Sequence, residues 1–169
     1  VLPPKVAMVQ AVVIPVGITA KTTVEEEAAI KGAVESVVAR LKGVGVRVQA
    51  DLRDNYTPGW KFNHWELKGV PLRLELGPKD LAAGQLMACL RHDGSKQPLP
   101  LSDLEHSIPA LLATIHQQML SKARAQRDAQ LKVVEEWSAF QTALDSKCIV
   151  MTPFCEGAAC EEAIKERSK

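Results

Sequence analysis

Aromatic side chains are scarce in this chain: three tryptophans, three phenylalanines and one tyrosine make up 4% of 169 residues. The core must therefore be mostly aliphatic. No apolar run approaches the roughly 20 residues needed to cross a bilayer, which excludes a membrane-spanning helix. The opening residues, VLPPKVAMVQ, lack a charged segment followed by a clean apolar one, so no secretory signal is expected. Four cysteines, Cys89, Cys148, Cys155 and Cys160, are too few to staple a chain of this size, and a reducing, cytoplasmic setting is expected. Excess charge is missing as well. The net charge is +1, so no global field draws the chain toward nucleic acid or an anionic membrane, and binding to either needs a local patch.

The motifs that are absent restrict the reading further. No P-loop, no G-x-S-x-G and no H-E-x-x-H occurs. The GVG at 43–45 follows a helical pattern rather than a strand and has no third glycine, so it is not a dinucleotide fingerprint. His64, His92, His106 and His116 share no metal-ligand spacing and read as surface or boundary residues. No residue set for catalysis is present.

What is there is an alternation of short apolar runs and helical patterns. QAVVIPVG (10–17) reads as a buried strand. Thr22 and Thr23 stand three residues before Glu25 and Glu26, a capping-box signature. Ile30, Val34, Val37, Val38 and Leu41 follow at helical spacing, with Gly43 as the stop. VRVQA (46–50) is a second strand. Thr57-Pro58 opens a short helix that Gly69 closes. VPLRLEL (70–76) alternates, with Val70, Leu72, Leu74 and Leu76 on one face and Arg73 and Glu75 on the other. QLMACLRH (85–92) is a further strand and DGSK (93–96) a hairpin turn. A long helical pattern runs from Leu104 to about Val134, with Pro109 in its first turn or kinking it. From about Glu135 the pattern changes to helix, short strand, cysteine turn and helix. The order implies an α/β fold: a mixed, mostly parallel sheet of about five strands flanked by helices, with a small partial α+β unit at the end.

Residues 54–80, DNYTPGWKFNHWELKGVPLRLELGPKD, gather two of the three tryptophans, one phenylalanine and the only tyrosine among charges of both signs. Phe62 and Glu66 are one helical turn apart and share a face. Arg73 projects from the non-leucine side of the next strand, and Asp80 follows the GPK turn at its end. A ring, two carboxylates and a guanidinium at the carboxyl edge of a parallel sheet stand where open α/β folds bind ligands. The set suits guanine. An unpaired base stacks on a ring, offers donors at N1 and N2 to a carboxylate, and offers acceptors at O6 and N7 to an arginine. A salt-bridged helix–strand junction is the competing reading of the same residues. Elsewhere, Lys122, Arg124, Arg127 and Lys132 form a basic helix stretch that reads as a solvated face or, alternatively, as a phosphate-contacting edge. Cys155 and Cys160, in PFCEGAAC, are half of a zinc site, an unliganded pair, or a disulfide under oxidation.

The run ADLRDNYTPGWKFNHWELKGVPLRLELGPKD closely resembles the anticodon-binding domain of prolyl-tRNA synthetases of the eukaryotic or archaeal type, a type often fused to glutamyl-tRNA synthetase in animals. VVIPVGI and LPPKVA, and the end from FQTALDSKCIVMTPFCEGAACEEAIK, extend the resemblance over nearly the whole chain. It implies a leading linker at 1–9 from a catalytic domain, an anticodon-binding domain at 10–134, and at 135–169 the start of a zinc-binding-like domain. The implied partner is tRNA(Pro), within a homodimeric parent enzyme that ligates proline to tRNA using ATP and Mg; neither DNA nor membrane is an expected partner. The resemblance implies that Phe62, Glu66, Arg73 and Asp80 contact the two anticodon guanines. The family's basic hairpin residue falls at Ser95 by strict spacing, with Lys96 beside it. The family's catalytic motifs do not occur in this chain, so no cofactor is expected on it. Zinc would need a second cysteine pair besides Cys155 and Cys160. Two rivals stand: the equivalent domain of another class II synthetase, and an interaction or dimerisation module that does not bind RNA.

Overall fold

The structure is a computed structural model that describes residues 1–19 and 22–168. Its backbone divides into two compact units, residues 1–119 and 120–169. In the first, β1 (Ala11–Pro15), α1 (Val24–Gly43), β2 (Val48–Ala50), α2 (Pro58–Leu67), β3 (Leu72–Leu76), α3 (Pro78–Ala82), β4 (Gln85–Leu90) and β5 (Lys96–Pro100) follow in order, and α4 (Leu104–Gln130) starts there. The five strands form one sheet in the order β2-β1-β3-β4-β5. β1 pairs in parallel with both β2 and β3, while β3–β4 and β4–β5 are antiparallel. The sheet is mixed, as expected, but not mostly parallel: parallel and antiparallel pairings are evenly divided.

The helix ends follow from local chemistry. Thr23 caps α1: its hydroxyl accepts from the Glu26 amide, and the Glu26 carboxylate accepts from the Thr23 amide. The five residues spaced for burial, Ile30, Val34, Val37, Val38 and Leu41, are the buried ones. The stop differs from expectation. Gly43 is the last helical residue, and it is Gly45, at φ +80, that turns the chain. The amides of Gly45 and Val46 donate back to Lys42 and Leu41, a two-bond terminus that a left-handed residue allows. α2 ends in the same way at Gly69, φ +75, with amide bonds from Gly69 to Glu66 and from Val70 to Trp65.

The sheet has two unlike faces. Ala11, Val13, Leu72, Leu74, Leu86 and Ala88 point to one, where Val34, Val37 and Leu41 of α1 and Leu104, Ile108, Leu112 and Ile115 of α4 cover them. Each fully buried Leu, Ile or Val contributes about 1.5–3 kcal/mol against exposure, so this layer dominates the stability of the unit. On the other face Val12 and Ile14 form a smaller cluster with Trp65 and Val70, with Val9 and Phe62 packed against it. α2 therefore covers the β1 side of that face. Beyond it, the register aligns Arg73 with Cys89 and Glu75 with Met87, then Cys89 with Lys96 and Met87 with Pro98. Residues paired across strands share a face, so these six side chains share the remaining part.

One of the two readings of Pro109, and the end of the long helix, need correction. Pro109 lies inside α4 beyond its first turn, where its missing amide leaves the Glu105 carbonyl without a helical donor. The helix stops at Gln130 rather than near Val134, and Leu131–Val133 form β6, paired in parallel with β7 (Ile149–Met151). Leu-Lys-Val-Val has β-branched residues and a two-residue alternation, and a strand partner outweighs its weak helical preference. The second unit also holds α5 (Trp137–Asp145) and α6 (Ala158–Arg167), the expected order of helix, strand, cysteine turn and helix. Among the described residues no helix is long and apolar enough to cross a membrane.

Candidate nucleic-acid interface

The polar part of this sheet face is built from α2, β3 and the β4–β5 hairpin. Thr57 accepts from the Trp60 amide and Pro58 occupies the first turn, which starts α2 at the right point to carry Phe62 and Glu66 toward β3. Arg73, 8% exposed, projects from β3 beneath them. Its guanidinium carbon lies 3.9 Å from the centroid of the Phe62 ring. Its Nη1 donates to Glu66 Oε1 at 3.0 Å and its Nε to Glu75 Oε1 at 2.8 Å. Among the described residues Nη2 has no hydrogen-bond partner, so it is the donor left for something else.

Three of the expected contact residues thus come together: Phe62, Glu66 and Arg73. Lys96, the hairpin lysine, joins them through Glu75, whose Oε1 lies 3.8 Å from its ammonium; Lys96 itself is half-exposed. Ser95 instead turns to Asp93, donating from both its amide and its hydroxyl, which leaves Lys96 as the hairpin's basic group beside the cluster. Asp80 is held elsewhere: its Oδ2 accepts from the Gly77 amide at 3.1 Å, closing the first turn of α3. The competing reading is also visible in the geometry. Glu66 is shared between two arginines, with Arg91 Nη2 3.1 Å from its Oε2, so helix and strand are indeed joined by ion pairs. A bridged carboxylate still has lone pairs for a further donor, so bridging and base contact are compatible.

Sequence reasoning missed three members. Glu75 was read as a strand residue on the far side from the leucines and given no task, yet it ties Arg73, Lys96 and the Cys89 thiol together. Burial and the bond to Glu75 push the Cys89 thiol above its ordinary range, keeping it a donor. Arg91 stands next to the hairpin, with its Nε buried and without a hydrogen-bond partner among the described residues. Asp51 holds α2 in place. It is 2% exposed, and its carboxylate accepts from Arg53 Nε and Nη2 and from Trp65 Nε1, while its carbonyl accepts from Lys61 Nζ. Burial alone would raise its pKa, but the Arg53 and Trp65 hydrogen bonds outweigh it and hold the carboxyl at about 2. Lys61 is pushed down by burial, with Asp51 and Asp54 opposing. Arg53 also lies over the exposed Tyr56 and Trp60 rings, which stack on each other with centroids 3.7 Å apart.

In the second unit the two cysteines of the turn are free and exposed. The Gly157 amide and the neighbouring Cys160 thiol lower Cys155, and Cys155 raises Cys160. Two thiols do not make a structural zinc site, which needs four ligands in a tetrahedron. Among the described residues no group of three or more His, Cys, Asp or Glu side chains could hold a metal.

Comparison with known proteins adds the lineage. Residues 10–111 match the anticodon binding domain family. The chain is 52% identical over 168 residues to the bifunctional glutamate/proline--tRNA ligase of Drosophila melanogaster, covering 99% of itself and 10% of that protein. It is 48% identical over 167 residues to a putative proline--tRNA ligase of Schizosaccharomyces pombe, of which it covers 23%. A crystal structure of the prolyl-tRNA synthetase of Cryptosporidium parvum, complexed with L-proline and AMP, superposes with a TM-score of 0.88 at 42% identity, over 99% of this chain and 35% of that one. The chain thus spans about a third or less of each of these relatives. With the matched segment starting just before β1 and running into α4, the chain belongs to the anticodon-binding domain family.

Proposed function

We propose that this chain is the anticodon-recognition part of a prolyl-tRNA synthetase and that it reads the guanines of the proline anticodon on tRNA(Pro). The observation that carries the reading is the Phe62–Arg73–Glu66 cluster on the sheet face beside the β4–β5 hairpin, with one guanidinium nitrogen unspent. Arg73 Nη2 donates to O6 or N7 of a guanine, while Glu66 accepts from N1 or N2 of a guanine through its remaining lone pairs. Phe62 holds the guanidinium plane from one side. Lys96 supplies a phosphate or base-edge contact from the hairpin. Asp80, at the start of α3, contributes a second acceptor at the end of β3. Recognition orients the tRNA, and the chemistry lies with a longer protein that joins proline to tRNA in the cytoplasm using ATP and Mg, as a homodimer. We place the anticodon-binding domain at 10–134 and assign 135–169 to a further, zinc-binding-like domain, where zinc would require two ligands beyond Cys155 and Cys160.

The test compares this chain and its Arg73→Ala variant on two anticodon stem-loops, one carrying the proline guanines and one with adenine in their place. Arg73→Ala should cost about 1–3 kcal/mol of guanine discrimination and leave adenine binding nearly unchanged. If the variant is destabilised yet binds both loops in the original ratio, the cluster is a structural ion-pair junction and the chain is an interaction module.

A further inference from the structure

Resting on that reading, we propose that Glu75 is a positioning residue for base discrimination: it clamps the Nε edge of Arg73 so that only the Nη2 end can reach a guanine. Glu75 lies two residues beyond Arg73 on the same face of β3, and its side chain is 12% exposed. Burying a carboxylate this far is unfavourable unless partners replace its water, and an apolar side chain beside Met87 would fill the space at no such cost. The partners it has are specific. Oε1 accepts from Arg73 Nε at 2.8 Å and from the Cys89 thiol at 3.1 Å, with Lys96 Nζ at 3.8 Å.

The reason for the clamp is the geometry of the alternative. Arg73 also faces Glu66, a carboxylate on a helix, and a free guanidinium beside a carboxylate settles into a two-pronged pair using two of its nitrogens. In that pair the edge formed by Nη1 and Nη2 would face Glu66, and the Nη2 N–H now left for a base would be spent on that carboxylate. With Glu75 holding Nε, Glu66 receives only Nη1. The Phe62 ring, 3.9 Å from the guanidinium carbon, blocks rotation out of the plane. Three restraints on three sides leave one nitrogen free. Cys89, buried and directly across from Arg73 in the register, fixes the carboxylate itself from below.

The experiment measures binding of the 169-residue chain to the guanine and adenine stem-loops for the original protein and for Glu75→Ala, Glu75→Gln, Arg73→Ala and the Glu75→Ala/Arg73→Ala double variant. Glu75→Ala should lower the guanine-to-adenine ratio by about fivefold or more, with adenine binding unchanged or tighter because a negative charge is gone. Glu75→Gln keeps an oxygen acceptor for Arg73 Nε and should retain most of the ratio. The double variant should discriminate no worse than Arg73→Ala alone, because Glu75 acts through Arg73. Nitrogen NMR of the arginine Nε–H groups supplies a readout without RNA: the Arg73 signal should be protected in the original protein and in Glu75→Gln, and exchange-broadened in Glu75→Ala. If Glu75→Ala does not fold, Glu75→Met, which keeps the volume and removes the acceptor, takes its place. A Glu75→Ala or Glu75→Met protein with the original ratio overturns the proposal if Arg73→Ala has lost it. If Arg73→Ala also keeps the ratio, guanine reading by this cluster fails first.

Discussion

Replacing Asp51 by Asn changes one buried carboxylate into an amide of the same shape, and the structure sets what that costs. The carboxylate serves two clients, Arg53 through Nε at 2.8 Å and Nη2 at 2.6 Å, and Trp65 through Nε1 at 2.7 Å. The amide has one oxygen. It keeps Trp65, whose stranded indole N–H would cost about 1–3 kcal/mol, and turns its NH₂ against the guanidinium of Arg53. Arg53 is exposed enough to return to water, so that loss is the smaller one. Lys61, 5% exposed, loses the negative charge that compensates its own burial. Together these amount to about 2–4 kcal/mol. The pH dependence gives a second check. The Asp51 carboxyl is held at about 2 in the fold against an ordinary 3.8. A depressed carboxylate contributes stability above its unfolded pKa and loses it as pH falls toward the folded one. The contribution of about 2 kcal/mol should therefore be intact at pH 5 and above, and fade between about pH 4 and pH 2. Urea unfolding followed by tryptophan fluorescence, for both proteins at pH 7, 5, 4 and 3, measures it. A difference under about 0.5 kcal/mol at pH 7, or one that stays constant down to pH 3, would refute the assignment of Asp51 as the anchor of α2.

Phe62→Ala should weaken RNA binding and also blur base preference, because the ring fixes the guanidinium plane; a stem-loop titration that finds the guanine-to-adenine ratio intact would show the ring to be a separate stacking surface. The salt dependence of binding should be shallow, since residues 51–80 carry five Lys or Arg against five Asp or Glu and few phosphates can be neutralised. A log–log slope demanding many released counterions would point to a basic surface elsewhere on the chain.

How much of this was legible in the sequence depended on how far each cause reaches along the chain. The α1 core stripe, Ile30 to Leu41, and both N-caps were readable because spacing and capping chemistry act within a few residues. Phe62 with Glu66 was readable for the same reason, being one turn apart. The leucine alternation of β3 put Arg73 on the other face, and the structure places it there. What the sequence could not show are contacts set by the register of distant strands. Arg91 meets Glu66, and Cys89 meets Glu75, only because β4 runs antiparallel to β3 in that one alignment. Asp51 looked like one of many acids near the rings, and its signal was only its place at the end of a buried strand, two residues before an arginine. β6 was hidden by its own neighbourhood: Leu131–Val133 continues a helical pattern, and its strand partner lies about 18 residues further on.

On the proposed reading, the arrangement of charge would let a chain with so little excess of it recognise RNA. On the polar part of the face Arg91, Glu66, Arg73, Glu75 and Lys96 form a line in which cation and anion alternate, every link 3.8 Å or shorter. Each inner member has a neighbour of opposite sign on both sides, so none carries much unbalanced charge and none draws the phosphate backbone strongly. Low RNA affinity is the expected result. Direction is what the line supplies. A guanidinium with only one unspent nitrogen, and a carboxylate already bridged at both oxygens, offer donors and acceptors in fixed places, and a base whose edge does not match leaves them unpaired. On that reading guanine would satisfy a donor and an acceptor at once, whereas adenine would present an acceptor at N1 where Glu66 needs a donor. The ion pairs that hold helix to strand are thus the same ones that would make the face selective, which is why stability and discrimination must be measured separately at Glu66, Arg73 and Glu75.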